Sequence, residues 1–302
     1  MPTQNNIRII ARLDIKGPHV VKGIHLEGLR VLGDPAYFAR RYYEMGADEL
    51  IYMDVVASLY NRNSLHQIIK RAGRELFIPM TVGGGLRTID DIREVLRSGA
   101  DKVAINTAAI RNPGIIKEAA NKFGSSTIVV AIEAIRQSDG RYLAFTDNGR
   151  EYTGVDAITW ARQAEEYGAG EIMITSVDRE GTGEGFDIEL VKSLAGSISI
   201  PLIAHGGAGS VEDIHRVIAE GGADAVAIAS IIHYDLITKE VTAVDTTQEG
   251  NIEFLKKNSG FIKIRPASIA KIKAYLKDNG IVCRPVSWYE ESYSAKFEGH
   301  GQ

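Results

Sequence analysis

The sequence is poor in the residues that mark disulfide-rich or membrane-spanning proteins. It has one cysteine, Cys283, among 302 residues, and 8 prolines against 31 glycines. One thiol cannot close an intramolecular disulfide and offers no cluster for a structural zinc site. No apolar run approaches the roughly 20 residues that cross a bilayer, and no targeting segment precedes Arg8. These absences predict a cytoplasmic protein that does not bind a membrane.

The sequence also lacks an excess of charge of one sign. Its formal net charge is −4, and its 35 basic residues are spread along the chain instead of forming a stripe. This distribution argues against nucleic acid as a partner. With 44% hydrophobic and 25% charged residues, the composition is typical of a globular enzyme and excludes disordered, collagen-like and coiled-coil proteins.

Short apolar runs rich in Ile, Val and Ala alternate with longer amphipathic stretches, as in parallel strands covered by helices. Strands are expected near residues 8–14, 49–54, 78–82, 102–105, 127–133, 171–175, 200–204 and 225–228. Helices are expected near 35–45, 63–72, 88–98, 112–123, 155–167, 187–194, 210–220 and 266–279. Eight strands and eight helices in alternation predict an α/β fold, a (β/α)8 TIM barrel. The alternative is a doubly wound open sheet.

An internal repeat favours the barrel. The segment IPMTVGGGLRTIDDIREVLRSGADKVAINTAAI, from Ile78, aligns with IPLIAHGGAGSVEDIHRVIAEGGADAVAIASII, from Ile200, with one inserted residue. The same offset relates ADELIYMD, from Ala47, to AGEIMITS, from Ala169. Each half of the chain therefore carries four strand-helix units, and two such halves can close into one barrel with two-fold symmetry.

The repeat pairs two carboxylates at the ends of strands. Asp14 ends the first strand and Glu133 ends the fifth. Active sites of such barrels lie at the carboxyl ends of the strands, and two carboxylates there suit general acid-base catalysis. The alternative is that both are solvated loop acids.

Glycine-rich turns and short polar segments follow other strands in both halves of the repeat. Glycine lets backbone N–H groups approach an anion closely, and a following helix N-terminus adds a favourable dipole. Two such sets predict two phosphate cradles and a substrate with a phosphate at each end. The first set has Gly84, Gly85, Asn106 and Thr107, and the second has Glu180, Gly181, Gly206, Gly207, Ala229 and Ser230.

Four charged residues of both signs begin strands, namely Arg8, Glu49, Lys102 and Glu171. Charged residues at strand starts are usually exposed at the rim. The other interpretation is a salt-bridged ring that closes the lower opening of the barrel.

Together these motifs make the sequence similar to the cyclase subunit of imidazole glycerol phosphate synthase. The likeness runs through RIIARLDIK, VVKG, DELIYMD, TVGGG, GADKVAINTAAI, EIMITSVDREGTGEGFD and GGAG, over about residues 7–233, and returns over 266–284. It implies a barrel that accepts ammonia from a separate glutaminase subunit. A ribulosyl bis-phosphate substrate would yield imidazole glycerol phosphate and an aminoimidazole carboxamide ribotide, and no metal or organic cofactor is implied.

The resemblance also implies roles for single residues. The positions of Asp14 and Glu133 carry the acid-base chemistry, and Lys22 lies on a mobile loop after the first strand. Asp101 corresponds to a residue that faces the glutaminase, which would dock on the N-terminal face of the barrel. The gate of an ammonia channel corresponds to Arg8, Glu49, Lys102 and Glu171.

Four residues depart from the family pattern near the expected chemistry. Glu133 and Glu180 stand where aspartate is usual, and His205 replaces a small polar residue. His205 could add a titratable donor to a phosphate, or have no catalytic role. Arg12 replaces a small residue on the strand face that points into the barrel, where a guanidinium needs a carboxylate partner. We expect an ion pair between Arg12 and Glu133, Asp54 or both.

These departures leave other functions open. A paralogue could keep the barrel and the gate but deliver ammonia to another amidation, for example of a surface-polysaccharide sugar. The chain could also be a catalytically silent activator of its glutaminase, although the retained Asp14 argues against this. A related sugar isomerase would share the phosphate sites but would have no use for a gate.

The expected domain organisation is one barrel over residues 1–284 and a C-terminal extension over 285–302. An insertion over 235–264 would separate the last strand from the last helix. Because strand-to-helix loops lie on the catalytic face, this insertion would lie beside the second cradle and could contact a partner there. The alternative is a solvated insertion without a role.

Overall fold

The structure, a computed structural model, describes residues 6–57, 65–239 and 263–286. Most of the expected insertion and almost all of the expected extension, with Trp288, Tyr289 and Tyr293, lie outside these residues, as does the start of the helix expected at 63–72. The architecture below concerns the described ranges.

The described residues form twelve strands, and eight of them, all parallel, make a closed barrel. The strands are β1 Arg8–Lys16, β2 His19–Ile24, β3 Glu27–Gly33, β4 Glu49–Asp54, β5 Met80–Gly83, β6 Lys102–Ile105, β7 Ile128–Arg136, β8 Tyr142–Thr146, β9 Glu151–Asp156, β10 Glu171–Ser176, β11 Leu202–His205 and β12 Ala225–Ile228. The barrel order is β1-β4-β5-β6-β7-β10-β11-β12, and β12 pairs with β1. This closure confirms the TIM barrel and excludes the doubly wound sheet.

Helices follow the barrel strands and cover their outer faces. They are α1 Pro35–Glu44, α2 His66–Glu75, α3 Ile89–Arg97, α4 Thr107–Arg111, α5 Gly114–Phe123, α6 Ala157–Glu166, α7 Ile188–Ala195, α8 Val211–Ala219, α9 Ser230–Lys239 and α10 Ile269–Asp278, with a 3-10 turn at Ser125–Thr127. None of the helices in the described ranges is long and apolar enough to cross a membrane.

The helix starts repeat between the two halves, as the sequence does. Asp34 and Asp156 cap α1 and α6, and Thr88 and Ser210 cap α3 and α8. In each case the side-chain oxygen accepts a hydrogen bond from a backbone N–H in the first turn, which satisfies a donor that the helix itself leaves free. At these two helix positions the half-barrel repeat extends to local capping.

Two antiparallel hairpins, which the sequence analysis did not predict, extend from β1 and β7. β2 and β3 continue from β1, whereas β8 and β9 continue from β7. The two tight turns have positive φ at His25 and Leu26 and at Asp147 and Asn148. Asn148 Nδ2 donates to Leu26 O at 2.9 Å, so the tips meet at the carboxyl end of the barrel.

The interior of the barrel has three layers along its axis. The lowest contains the four charged residues that begin strands, and the uppermost contains polar side chains at the strand ends. Between them lies an apolar layer formed by Ile10, Ile51, Ala104, Val129, Ala131, Met173, Ile203, Ala225 and Ala227. The helices enclose a second, larger apolar core outside the strands.

Residues 235–239, expected at the start of the insertion, belong to α9, which begins at Ser230. Leu236 and Ile237 of this segment are buried. Since α9 is buried on most of its surface, its sequence lacks the one-sided apolar pattern that identified the other helices.

Candidate active site

The carboxyl ends of the barrel strands, which we call the mouth, hold the two expected acid-base residues. Both side chains point into the barrel. Asp14 lies on β1 and is 3% exposed, and Glu133 lies on β7 and lines a cavity. Both occupy the innermost strand face, as the alternation of side chains along a strand requires. Neither is a solvated loop acid.

Arg12 lies inside the barrel, but its partner differs from the expected one. Its Nε donates to Asp14 Oδ1 at 2.8 Å, and both side chains are almost completely buried. The prediction of an ion pair with Glu133, Asp54 or both is therefore wrong. Residues 12 and 14 are neighbours on the same face of one strand, so the guanidinium reaches the nearest carboxylate without crossing the barrel.

The two carboxylates of the mouth have opposite pKa shifts. Burial alone would raise the pKa of Asp14, but Arg12 and Lys22 outweigh it and hold that pKa below its usual value. For Glu133, burial raises the pKa to about 7, although Gly149 N–H and Arg12 oppose the rise. Gly149 N donates to Glu133 Oε2 at 2.7 Å. Environments that separate two carboxyl pKa values in this way suit a proton acceptor and a proton donor.

His205 is buried beside the same groups. Its Nδ1 lies 2.9 Å from the carbonyl oxygen of Ala227, so Nδ1 carries the proton and donates. Burial first, and then the charge of Arg12, lower the pKa of His205 well below its usual value. The ring is therefore neutral, and its Nε2, which has no partner among the described residues, is an acceptor. This geometry does not favour a charged donor to phosphate.

Lys22 is held in place and does not lie on an unstructured loop. It belongs to β2, and its Nζ pairs with Glu180 Oε1, with both side chains nearly completely buried. Leu26 N donates to the other oxygen of Glu180 at 3.0 Å. The first hairpin is therefore attached to the segment after β10 through the carboxylate of Glu180.

The first expected cradle borders open space. A cavity of about 260 Å³ is lined by Gly84, Gly85, Asn106 and Thr107 together with Arg12 and Glu133. Gly84 has φ +96°, and a Cβ there would lie 2.2 Å from the carbonyl oxygen of Asp54, so only glycine fits. The Asn106 side-chain oxygen is buried without a partner among the described residues.

The second expected cradle is closely packed. Its glycines and Ser230, with Lys22 and Glu180, surround a space of only about 10 Å³. A Cβ on Gly207, which has φ +108°, would lie 2.2 Å from the carbonyl oxygen of Gly185. Gly181, Gly206 and Ala229 line the same space. The two cradles are thus related by the repeat but differ in the space they offer.

At the opposite end, the four residues that begin strands form a closed ring of ion pairs, which we call the charged ring. Arg8 Nη1 lies 2.7 Å from Glu49 Oε1 and 3.1 Å from Glu171 Oε1. Lys102 Nζ lies 3.1 Å from Glu49 Oε2 and 2.7 Å from Glu171 Oε1. Each cation contacts both anions, so these are not separate rim charges.

The N-terminal face around this ring carries Asp101 and an exposed aromatic residue. Asp101 is exposed and accepts a hydrogen bond from Met80 N at 2.8 Å. Phe77, immediately before β5, is 82% exposed and lines a shallow groove with Asp101.

The described residues also show groups that the sequence analysis did not identify. Thr175 Oγ1 lies 3.5 Å from Arg12 Nη1, and Arg111 pairs with Asp147 at 2.9 Å beside the first cradle. The dipeptide Asn148-Gly149 is a common signal of a tight hairpin turn and could have revealed the second hairpin. Within the described ranges, no group of three His, Cys, Asp or Glu residues could hold a metal ion.

Comparison with known proteins agrees with this geometry. A family model described as histidine biosynthesis protein matches residues 8–238. Imidazole glycerol phosphate synthase subunit HisF of Legionella pneumophila is 58% identical over 211 residues, which are 70% of this chain and all of that protein. The same subunit of Alkaliphilus metalliredigens (strain QYMF) is 46% identical over 231 residues, which are 76% of this chain and 92% of that protein. The chain belongs to the histidine biosynthesis protein family and, within it, to the HisF subunits of imidazole glycerol phosphate synthase.

Proposed function

We propose that this chain is the cyclase subunit of imidazole glycerol phosphate synthase, a lyase of histidine biosynthesis. It uses ammonia to convert a ribulosyl bis-phosphate intermediate to imidazole glycerol phosphate and an aminoimidazole carboxamide ribotide. The observation that carries this proposal is the pair of carboxylates in the mouth, with opposite pKa shifts, between two glycine-rich cradles. Membership in the family supports the same reaction.

Substrate binding would use the two cradles unequally. The first cradle offers backbone N–H groups around the open cavity, with Asn106 and Thr107 beside them. In the second, the Lys22 ammonium faces Glu180, and a phosphate group would compete with that carboxylate for it. Binding of the second phosphate would therefore rearrange the Lys22–Glu180 pair and the hairpin that carries Lys22. We assign Gly206, Gly207 and Ser230 to the same phosphate.

The charged ring would be the gate through which ammonia enters the barrel. It lies on the barrel axis directly below the apolar layer, and its four side chains are paired with one another. A neutral molecule could pass such a ring only after an ion pair separates. The supporting observation is that the ring, the apolar layer and the carboxylates follow one another along a single strand at Arg8, Ile10 and Asp14.

The glutaminase subunit would dock on the N-terminal face. Asp101 and the exposed Phe77 lie there beside the ring, and an exposed aromatic side chain is typical of an interface anchor. Docking at this face would place the source of ammonia at the gate. We also propose that residues 1–284 form one domain, with 235–264 as an insertion between the last strand and the last helix and 285–302 as a C-terminal extension. The cytoplasmic location stays a prediction.

The test is turnover of the ribulosyl bis-phosphate intermediate by the purified chain with an ammonium salt at high pH. We expect loss of the substrate, and no loss with Asp14→Asn. No turnover, combined with stimulation of a glutaminase, would contradict the proposal and favour the sugar-amidating paralogue or the silent activator. The names of the relatives support only the histidine-pathway reaction.

A further inference from the structure

Arg12 is a charged group in the mouth to which the proposed reaction assigns no role. It lies on β1 between the apolar layer and Asp14, and it is 2% exposed. Removing an isolated guanidinium from water is costly unless a carboxylate compensates it. The compensating group is one of the two carboxylates assigned to acid-base chemistry, so Arg12 acts on the reaction centre itself.

The contact fixes both the position and the charge of Asp14. Nε of Arg12 donates to Asp14 Oδ1 at 2.8 Å, and Nη1 lies 3.5 Å from Thr175 Oγ1 on β10. A guanidinium has five N–H donors in a rigid plane. Two acceptors thus orient this plane, and Arg12 lines the cavity.

Two further ion pairs lie around the mouth, and Glu133 belongs to neither. Lys22 pairs with Glu180, and Asp147 pairs with Arg111. Glu133 accepts from Gly149 N and, among the described residues, has no cation within ion-pair distance. The titratable and charged groups that face the Arg12–Asp14 pair of β1 are Lys22 on β2, Asp54 on β4, Glu133 on β7, Asp147 in the β8–β9 turn, Glu180 after β10 and His205 on β11.

We propose that Arg12 is a positioning residue that assigns the proton-acceptor role to Asp14 by pairing with it and keeping it ionised, and so leaves Glu133, which burial keeps protonated, as the proton donor. This assignment rests on the proposed function. Asp14 takes up one proton and Glu133 releases one, so the total number of protons on these two carboxyl groups does not change. Exchange with water then restores the starting protonation state of each group. The opposite pKa directions of Asp14 and Glu133 agree with it.

The first test needs no substrate. The carboxyl carbons of Asp and Glu are labelled with ¹³C, and their signals are followed by NMR against pH in the full chain. Asp14 should remain ionised at pH values at which ordinary aspartates become protonated, and Glu133 should titrate near pH 7. The opposite order, with Glu133 ionised at lower pH than Asp14, would overturn the proposal.

The second test compares two variants that separate charge from geometry. Arg12→Gln removes the charge but keeps an amide donor, whereas Arg12→Lys keeps the charge and loses the planar fork. With Gln, the Asp14 titration and the acidic limb of the kcat/KM profile should both move to higher pH, and kcat at neutral pH should fall ~100-fold. With Arg12→Lys, the Asp14 titration and the acidic limb of the kcat/KM profile should stay at their wild-type pH, and kcat should fall less than with Arg12→Gln. Unchanged Asp14 titration in Arg12→Gln would overturn the proposal.

A matched control is Arg216→Gln, which removes the Arg216–Glu220 pair on the outer surface of α8. It should leave the Asp14 titration and the pH profile unchanged. If Arg12→Gln does not fold, the wild-type titration and the Arg12→Lys variant still test the proposal. The expected titrations without any wild-type turnover would contradict the proposed function and leave the effect of Arg12 on Asp14 established.

Discussion

At one end of the barrel the charges are completely paired, and at the other end they are not. In the charged ring, two cations contact two anions in every combination. In the mouth, Arg12 and Lys22 each neutralise one carboxylate, and Glu133 is left with a backbone donor. β1 contributes to both ends, with Arg8 in the ring and Arg12 and Asp14 in the mouth.

The difference teaches what each end is suited to do. A fully paired ring holds its four side chains together through ion pairs, which suits a barrier that opens and closes. A mouth with one unpaired carboxyl group keeps one proton exchangeable near neutral pH, which suits acid-base catalysis. Changes in the mouth should therefore affect chemistry, and changes in the ring should affect stability and the supply of ammonia.

The largest effect is expected from Asp14→Asn. The variant keeps the size of the side chain but cannot accept a proton, so turnover with an ammonium salt should fall ~1,000-fold. Asp90→Asn, on the exposed surface of α3, is the matched control and should retain full turnover. Turnover of the Asp14 variant within tenfold of wild type would show that the reaction does not depend on the Asp14 carboxylate.

The next effect tests the close packing of the second cradle. Gly207→Ala would place a Cβ 2.2 Å from Gly185 O at φ +108°, whereas Gly124→Ala, at φ +91°, would meet no atom within 4 Å. The first change should lower the free energy of unfolding by about 3 kcal/mol and the second by about 1 kcal/mol. Chemical denaturation measures both. Equal losses would show that backbone conformation alone, and not the contact, requires Gly207.

The ring is tested by Lys102→Met. Loss of the ammonium leaves Glu49 and Glu171 to share Arg8, which should lower the free energy of unfolding by about 1–3 kcal/mol, because the ring is only partly screened by water. Activity with glutamine and the glutaminase subunit should fall more than activity with an ammonium salt. Lys117→Met, on the exposed surface of α5, is the control. Equal loss of the two activities would place the effect in the mouth instead.

The smallest effect is a pH dependence of stability from Glu133. Its pKa in the folded protein, about 7, lies above the usual 4.5. The folded state therefore holds this proton more tightly, so its contribution to stability is complete below about pH 4.5 and is lost as the pH rises to about 7. Glu133→Gln should remove this loss.

The measurement is the free energy of unfolding of wild type and Glu133→Gln across this pH range. The two curves should separate between about pH 4.5 and 7 and run parallel above it. Glu118→Gln, on exposed α5, should follow the wild-type curve throughout. Parallel curves for all three proteins would show that Glu133 carries no proton at neutral pH.

The barrel could be predicted from the sequence because its signals are local and repeated. Continuous apolar runs mark strands that are buried on both faces, and the repeat fixes their number in each half. The order of Arg8, Ile10 and Asp14 on β1 also follows from alternation alone. The first hairpin was not predicted, because its turn at His25 and Leu26 uses neither Asn nor Gly at the two positive-φ positions.

The partner of Arg12 could not be predicted for a different reason. The alternation of side chains gives the strand face but not the direction in which a long side chain turns. Asp14 and Glu133 both share that face, and the shorter path along the strand decided between them. The packing of the second cradle depends likewise on the Lys22–Glu180 contact between segments about 160 residues apart.

The apolar layer separates the two ends of the barrel electrically. Asp14 follows Arg8 by six residues, a rise of roughly 20 Å along an extended strand, and the apolar layer lies between them, below Arg12. An ion would lose its hydration there at a cost of many kilocalories per mole, whereas a small neutral molecule would not. The apolar layer therefore opposes the passage of protons and ammonium ions, and we expect the protonation state of the mouth to follow the solvent above it and not the charged ring below.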